Sequence, residues 1–275
     1  MFRTSITEAV VLHSHRFGEF HKGVTLLTRD QGILRAVAHG AQKARSRLRG
    51  ATESFVRATV YLYHDPVKDT YKITDMTVVS VYESLRADLE LYYTATLWAE
   101  VVLKSYGGGD SHPAVFRLLV DCLERLEQEG GTRALYASVQ FLWRYLRLAG
   151  ICPDTGGCAR CGKTLAPDRS AFLDAFGTAF VCAECAGQPG AMLEPGARRF
   201  LETTETMALG QALRYGLEQR SLSGLREVLY RLLEGLLETR LNTLAYMRMP
   251  RFGGGHPASG AGEVNVGTGR AGVST

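Results

Sequence analysis

The first third of the chain consists of short apolar and β-branched runs separated by turn residues. Runs such as ITEAVVL and VTLLT have the composition of half-buried strands. The predicted strands cover residues 6–12, 24–28, 33–39, 54–64 and 71–82. Turn signals such as Phe17-Gly18-Glu19 and Asp30-Gln31-Gly32 lie between them. Five short strands in about 80 residues predict a small closed or nearly closed barrel.

After residue 82 the period of the apolar positions changes from two to about 3.6, which predicts helices. The first helical stretch has apolar residues at Leu85, Leu89, Tyr92, Leu97 and Val101. A glycine break at residues 107–109 follows, and Ser111 and Thr132 are the predicted N-caps of two further helices. The strongest pattern, over residues 222–247, predicts one long helix with a buried face.

These changes of pattern predict an α+β multidomain protein. The barrel occupies residues 1–82, and a helical domain follows in two parts, 83–151 and 193–249. A cysteine-rich insert, residues 152–192, separates the two helical parts. Residues 250–275 contain little besides Gly, Ser, Ala, Thr and Pro, and we expect this tail to be disordered.

Composition and charge narrow the class of protein. The 275 residues are 45% apolar and 22% charged, as in ordinary globular proteins. No apolar run is long enough to span a bilayer and the N-terminus does not resemble a secretory signal, so we expect a cytoplasmic protein without a membrane partner. The net charge of +4 is too small to indicate a nucleic-acid partner by itself.

Four of the six cysteines form two CxxC pairs, Cys158/Cys161 and Cys182/Cys185. Two residues between cysteines allow both sulfurs to face one ion, and two such pairs complete a tetrahedron of thiolates. The spacing therefore predicts a zinc site, and four sulfur ligands leave no open position, so the zinc is expected to be structural. A redox dithiol and a catalytic zinc are the less favoured alternatives.

The two remaining cysteines are interpreted differently. Cys152 lies six residues before the first pair and could replace a ligand, but the adjacent Pro153 and two following glycines are more typical of the start of the insert. Cys122 lies within a predicted helix and is expected to be a small core residue.

A basic segment follows the second predicted strand. Residues 31–52 contain no acidic side chain, and they carry five cations that are candidates for contacting phosphates: Arg35, Lys43, Arg45, Arg47 and Arg49. The last four alternate along the chain, so an extended segment would present them on one side and a helix would spread them over a wider arc. Such a positive field can contact phosphates, and a solvated loop is the plain alternative.

Proteins that bind single strands also offer aromatic rings to the bases. The candidate rings in this region are Phe17, Phe20, Phe55, Tyr61 and Tyr63, and the alternative for each is a place in the barrel core. His13, His15 and His21 could suggest a metal or acid–base site, but surface histidines beside a nucleic-acid groove are the simpler interpretation.

The chain contains no P-loop, dinucleotide-binding, nucleophile-elbow or HExxH motif. Arginines of the last predicted helices could form a solvated face or meet an acidic partner: Arg214, Arg220, Arg226 and Arg231.

Two segments resemble the RecO family of bacterial recombination and repair proteins. They are RFGEFHKGVTLLTRDQGILRAVAHGAQKARSRLRG, residues 16–50, and YLRLAGICPDTGGCARCG, residues 145–162, followed by the second cysteine pair. The resemblance covers about residues 3–245. It implies an N-terminal OB-fold barrel, a helical domain and a zinc-binding insert. His39 and Gln42 stand where basic residues are common in the family, and some members lack the cysteines.

The resemblance implies binding rather than chemistry. The protein would bind single- and double-stranded DNA, anneal complementary strands and, with RecR, help to load RecA onto strands coated by single-stranded-DNA-binding protein. It would be associated with the nucleoid. The five cations of residues 31–52 lie where the family's DNA-contacting segment lies, so they are the predicted DNA-binding residues. Two other classes remain open: a zinc-ribbon module for protein interaction or transcription regulation, and an enzyme with a catalytic zinc.

Overall fold

Residues 3–105, 112–187 and 190–248 are described by a computed structural model. Their first part forms a closed barrel of five strands in the order β1-β2-β3-β5-β4. The strands are β1 Thr4–Phe17, β2 His21–Thr28, β3 Gly32–Ala38, β4 Arg57–Asp65 and β5 Thr70–Ser80. All neighbours are antiparallel except β3 and β5, which are parallel. The predicted OB-like barrel is therefore confirmed.

The barrel has two apolar sides because successive residues of a strand point to opposite faces. Inward residues such as Val11, Val24 and Leu26 form the core of the barrel. Outward residues of β1 and β2, including Leu12 and Leu27, belong instead to the core of the helical part. The pairing of β1 with β2 shifts between Val11 and His13, which leaves Leu12 as an extra residue. The barrel and the helices are thus joined by shared apolar packing.

The helical part begins immediately after the barrel. Its elements are α2 Glu83–Ala87, α3 Leu89–Lys104, α4 His112–Glu129 and α5 Gly131–Leu148, followed after the insert by α7 Pro195–Glu205, α8 Leu209–Ala212, α9 Gln219–Leu236 and α10 Asn242–Met247. Helix α3 begins at an Asp88 cap whose carboxylate accepts from two backbone N–H groups. Trp98, Phe141 and Tyr145 stack in the centre, with ring centroids 4.7 and 5.9 Å apart.

Two predictions about helix ends need correction. Two other predictions concern residues that the structure does not describe. Gly130, not Thr132, occupies the N-cap position of α5. The predicted helix over residues 222–247 is two helices, because the N–H of Thr239 bonds to the carbonyl of Glu234 and Glu238 turns to a φ of +49°. This left-handed residue and its backbone bonds form a helix-ending motif that is more often made with glycine. The Ser111 cap with its glycine break, and the tail at residues 250–275, are not described.

The insert is a small unit between α5 and α7. Its three short strands, β6 Ala171–Leu173, β7 Phe180–Val181 and β8 Met192–Leu193, form an antiparallel sheet in the order β7-β6-β8, and α6 Ala183–Ala186 starts at the second cysteine pair. Buried side chains of this sheet, among them Leu173 and Phe180, belong to the helical core. No helix in the described part of the chain is both long and apolar enough to span a lipid bilayer.

Candidate nucleic-acid interface and metal centre

The part of the basic segment that follows β3, with Lys43, Arg45, Arg47 and Arg49, lies in the connection between β3 and β4. It is neither extended nor one helix: a series of turns, in which Lys43 bonds to Gly40, Ser46 to Lys43 and Arg49 to Ser46 at 3.0 to 3.2 Å, leads into the single-turn helix α1, Leu48–Ala51. Both sequence-based alternatives for its geometry are therefore wrong. The chain turns at every third residue, so the four cations are not aligned on one side as they would be in an extended segment.

Buried polar contacts hold this connection against the end of the barrel. The Nζ atom of Lys22 donates to the carbonyl of Arg49 at 3.0 Å and to Glu53 at 2.7 Å, and Lys22 is only 6% exposed. The N–H of Gly40 donates to Nδ1 of His21 at 3.0 Å. Because its backbone is fixed in this way, the connection presents its cations from a defined surface.

All five predicted DNA-binding cations are exposed. Arg35 lies on the outer face of β3, while Lys43, Arg45, Arg47 and Arg49 lie on the connection. Within the described ranges, none of the five forms an ion pair with a carboxylate. Their charges are therefore available to an anion from outside.

Lys72 extends this positive surface over the strands, next to the imidazole of His39. Arg35 and His39 are both exposed and lie an even number of residues apart on β3 and its end. Lys72 of β5 pairs with Val37 between them. Desolvation, followed by the charges of His21 and Lys72, lowers the pKa of His39. Desolvation and neighbouring cations act in the same direction, because both disfavour the charged imidazolium.

The candidate aromatic residues divide into two groups. Phe17 and Phe20 are 50% and 44% exposed, and the Nζ atom of Lys43 lies 5.7 Å from the centre of the Phe20 ring. Tyr61 and Tyr63 are half-buried on β4. Phe55 is only 3% exposed and packs edge-on against Tyr92, so it is a core residue and not a stacking platform.

The histidines of the first turn do not form a metal site. The rings of His13 and His15 stack at 5.7 Å on the outer face of β1, and His15 lies over Gly23, where a Cβ atom would come within 2.4 Å of its ring. Among the described residues, the only set of three or more side chains arranged to hold a metal ion consists of the cysteines. The histidines are thus part of the barrel surface.

The four predicted ligands, Cys158, Cys161, Cys182 and Cys185, come together. Their sulfur atoms all lie within 4.8 Å of one another, and those of Cys161 and Cys182 are 3.9 Å apart. A tetrahedron with metal–sulfur bonds of about 2.3 Å has sulfurs about 3.8 Å apart. The cysteines are therefore positioned to bind a metal ion.

Contacts between the two CxxC loops keep the cluster assembled. Arg160 of the first loop donates to the carbonyl of Cys185 at 3.1 Å, and Lys163 pairs with Glu184 at 2.7 Å. Gly162, directly after the first pair, has a φ of +73°, which explains why a glycine ends this tight turn.

The thiols of the cluster differ in acidity. Hydrogen bonds from the backbone of Cys182 and Cys161 lower the pKa of Cys158 to about 6, because N–H donors stabilise a thiolate. Hydrogen bonds shared with the Cys182 and Cys161 thiols raise the pKa of Cys185 to about 12. Thiolates so close together require a cation, which a metal ion supplies.

Cys152 and Cys122 are not members of this cluster. Burial raises the pKa of the Cys152 thiol to about 12, and Cys122 is completely buried, where desolvation raises its pKa strongly. Both are consistent with structural positions.

Sequence reasoning missed the residue that fastens the insert to the helices. Arg198 of α7 is only 4% exposed, and its guanidinium donates to the carbonyls of Leu165 at 2.8 Å and Ala166 at 3.1 Å. A single arginine in an amphipathic helix has no pattern that distinguishes it from a solvated one. It becomes recognisable only through the loop folded onto it.

Comparison with known proteins agrees with this arrangement. A family model described as "Recombination protein O N terminal" matches residues 1–82, and one described as "Recombination protein O C terminal" matches residues 86–245. The chain is 31% identical over 260 residues, 94% of its length and 98% of the relative's, to a protein of Pelotomaculum thermopropionicum named "DNA repair protein RecO". It is 28% identical to a protein of the same name from Desulfatibacillum aliphaticivorans, over 81% of this chain and 88% of that protein.

Proposed function

Because the chain belongs to the RecO family, we propose that it is a mediator of DNA repair and homologous recombination that acts by binding rather than by catalysis. The observation that carries this proposal is the exposed set of cations on the OB-like barrel, which lack carboxylate partners in the described part of the chain. One of them, Lys43, lies beside the exposed ring of Phe20. The names of the relatives, which are DNA repair proteins, support the same function.

The mechanism follows from phosphate neutralisation. Lysine and arginine contacts to phosphates release counterions, so they provide affinity for single and double strands without reading sequence. Exposed aromatic rings add stacking for unpaired bases. A cationic surface also lowers the repulsion between two strands, so we propose that the protein anneals complementary strands.

The wider partners rest on the family. We propose that the protein works with RecR to load RecA onto strands coated by single-stranded-DNA-binding protein, in the cytoplasm and at the nucleoid. We further propose that residues 1–82 are the DNA-binding unit and that residues 152–192 hold a structural zinc ion. Four thiolates suit zinc, and this donor set leaves no position for a reacting water.

The test is a fluorescence-anisotropy titration of mixed-sequence single-stranded DNA at several salt concentrations. For Arg45→Glu/Arg47→Glu we expect binding at least ~10-fold weaker and a log–log salt slope shallower by about 1.4, since two phosphate contacts are lost. The fold should be unchanged because both side chains are exposed. Added complementary strand should anneal faster with the wild-type protein than with this variant.

Arg214→Glu/Arg220→Glu is the matched control, since it makes the same charge change at exposed arginines of the helical part. An unchanged salt slope in the Arg45→Glu/Arg47→Glu variant would show that the DNA-binding face lies elsewhere on the protein. No binding of the wild-type protein at low salt would favour a zinc-ribbon interaction module instead.

A further inference from the structure

A groove on the outer face of β3 continues beyond the barrel. Its first part, of about 830 Å³, is lined by Arg35, Tyr71 and His13, and by Leu103 of α3. A second part, of about 410 Å³, lies between β1, α3 and α10. His13 and Leu103 line both parts, so the two parts adjoin each other at these side chains.

Tyr93 and Tyr246, two members of a row of three tyrosines, line the second part of the groove. Tyr246 of α10 stacks on Tyr93 of α3 with ring centroids 6.2 Å apart, and Tyr92 meets Tyr93 edge-on at 6.2 Å. Tyr246 is 51% exposed and Tyr92 is 39% exposed. Large aromatic faces are thus open to solvent along a groove that begins at a predicted DNA-binding arginine.

The one carboxylate in this part of the groove is already satisfied. Glu100 accepts from the N–H groups of Asn242 and Thr243 at 2.7 and 2.8 Å, and it pairs with Lys104 at 3.1 Å. Although desolvation favours the neutral acid, these hydrogen bonds lower the pKa of Glu100. Its charge is therefore balanced locally and does not repel a polyanion strongly.

We propose that a single DNA strand runs from Arg35 past His13 into this groove and stacks its bases on the row of tyrosines, with Tyr246 as the outermost platform. The inference rests on the proposed function and adds a second contact region on the helices. Every nucleobase has a π-face, so an aromatic platform binds unpaired bases of any sequence. Bases in a duplex are already stacked and paired, so this region selects single strands.

The test compares Tyr246→Leu with the wild-type protein on single strands of about 10 and about 25 nucleotides, because one OB fold covers about 4 to 16 nucleotides. We expect affinity for the longer strand to fall about 5- to 10-fold. Affinity for the short strand and for a duplex should not change. The salt slope should not change either, because stacking releases no counterions.

Two control variants separate stacking from other effects. Tyr246→Phe keeps the ring and should retain wild-type affinity. Tyr215→Leu removes a tyrosine of similar exposure, 42%, that faces Phe200 and does not line the groove. It should leave all affinities unchanged. With 2-aminopurine placed along the longer strand, quenching at one end should be present in the wild-type protein and absent in Tyr246→Leu.

The inference would be overturned if the wild-type protein and Tyr246→Leu bound the longer strand with equal affinity. A protein partner would then be the alternative occupant of the groove. The proposed function would stand in that case, because the short strand would still bind. Failure of the wild-type protein to bind either strand would overturn the proposed function itself.

Discussion

The barrel and the cysteine insert are both small β units attached to the same helices, but different interactions stabilise them. The barrel encloses a core of its own, formed by residues such as Val11, Leu26 and Val60. The insert has a sheet of seven residues in three strands, and its buried side chains belong to the helical core. A unit of this size cannot bury enough apolar surface by itself, so we expect it to depend on its neighbours and on a metal ion bound by the four cysteines.

Their attachments to the helices also differ. Arg57 of β4 pairs with Glu8 of β1 and Glu124 of α4 at 2.6 Å, and although desolvation opposes its charge, the contact with Glu8 raises the pKa of Arg57. The insert is attached through Arg198 and backbone carbonyls. Helix α9 also meets it closely, since a Cβ atom on Gly235 would lie 2.5 Å from the carbonyl oxygen of Gly177.

Metal removal is expected to have the largest effect, and it should distinguish the two units because it destabilises the insert and not the barrel. Chelation, or Cys158→Ser, should remove a contribution on the order of 10 kcal/mol that structural zinc makes at neutral pH. We expect protease cleavage and rapid hydrogen exchange within residues 152–192. Metal content and cleavage sites report the result.

Cys122→Ser is the matched control, because this buried cysteine lies outside the metal cluster. It should keep its metal and leave the insert resistant to protease. If the metal-free protein showed unaltered protease resistance in the insert, the helices alone would suffice to order it, and the contrast with the barrel would be lost.

A core substitution in the barrel should destabilise the barrel and leave the metal content of the insert unchanged. Leu26 is fully buried in the barrel interior, so Leu26→Ala should lower the free energy of unfolding of the barrel by about 2 to 5 kcal/mol. Metal content should stay at the wild-type value. Denaturant unfolding followed together with metal release measures both. Simultaneous loss of metal and barrel structure would show that the two units unfold as one.

The smallest expected effect concerns Glu100, beside the barrel. The pKa of Glu100 is lower in the folded state than its unfolded value near 4.5. Its ionised form therefore stabilises the protein at pH values above about 4.5, and this stabilisation is lost as the pH falls through the folded pKa. Glu100→Gln should therefore destabilise the docking of α10 by about 1 kcal/mol at pH 7. The difference from wild type should vanish on acidification.

Hydrogen exchange of the Asn242 and Thr243 amides measures this effect. The loop of residues 165–169 is the internal reference, because Arg198 holds it through carbonyls that do not titrate. Faster exchange in that loop at pH 7 would mean that the two attachments are coupled.

The sequence was sufficient where a property is local and repeated. Apolar and β-branched runs separated by turn residues predicted all five barrel strands, and the CxxC spacing predicted a cluster that the structure assembles, because both patterns reflect local backbone geometry. The five cations are exposed as a solvated or binding surface requires, and their contact with DNA remains a prediction.

The sequence was insufficient where one residue acts through a distant part of the chain. Phe55 has a φ of +65°, which turns its ring from the barrel towards Tyr92 of α3, and no periodicity signals such a turn. Lys22 is buried because Glu53 and the Arg49 carbonyl lie above it. The end of α9 was missed because Glu238, a residue common in helices, adopts the left-handed conformation there.

The partners of Glu100 set an order for folding during synthesis. The barrel strands pair only with one another, so the barrel can close once residue 80 has left the ribosome. Glu100 receives its amide partners only when Asn242 and Thr243 have emerged. At 5 to 20 residues per second this interval is on the order of 10 to 30 s. A nascent chain therefore carries a finished barrel while the helices beside it still await their last contact.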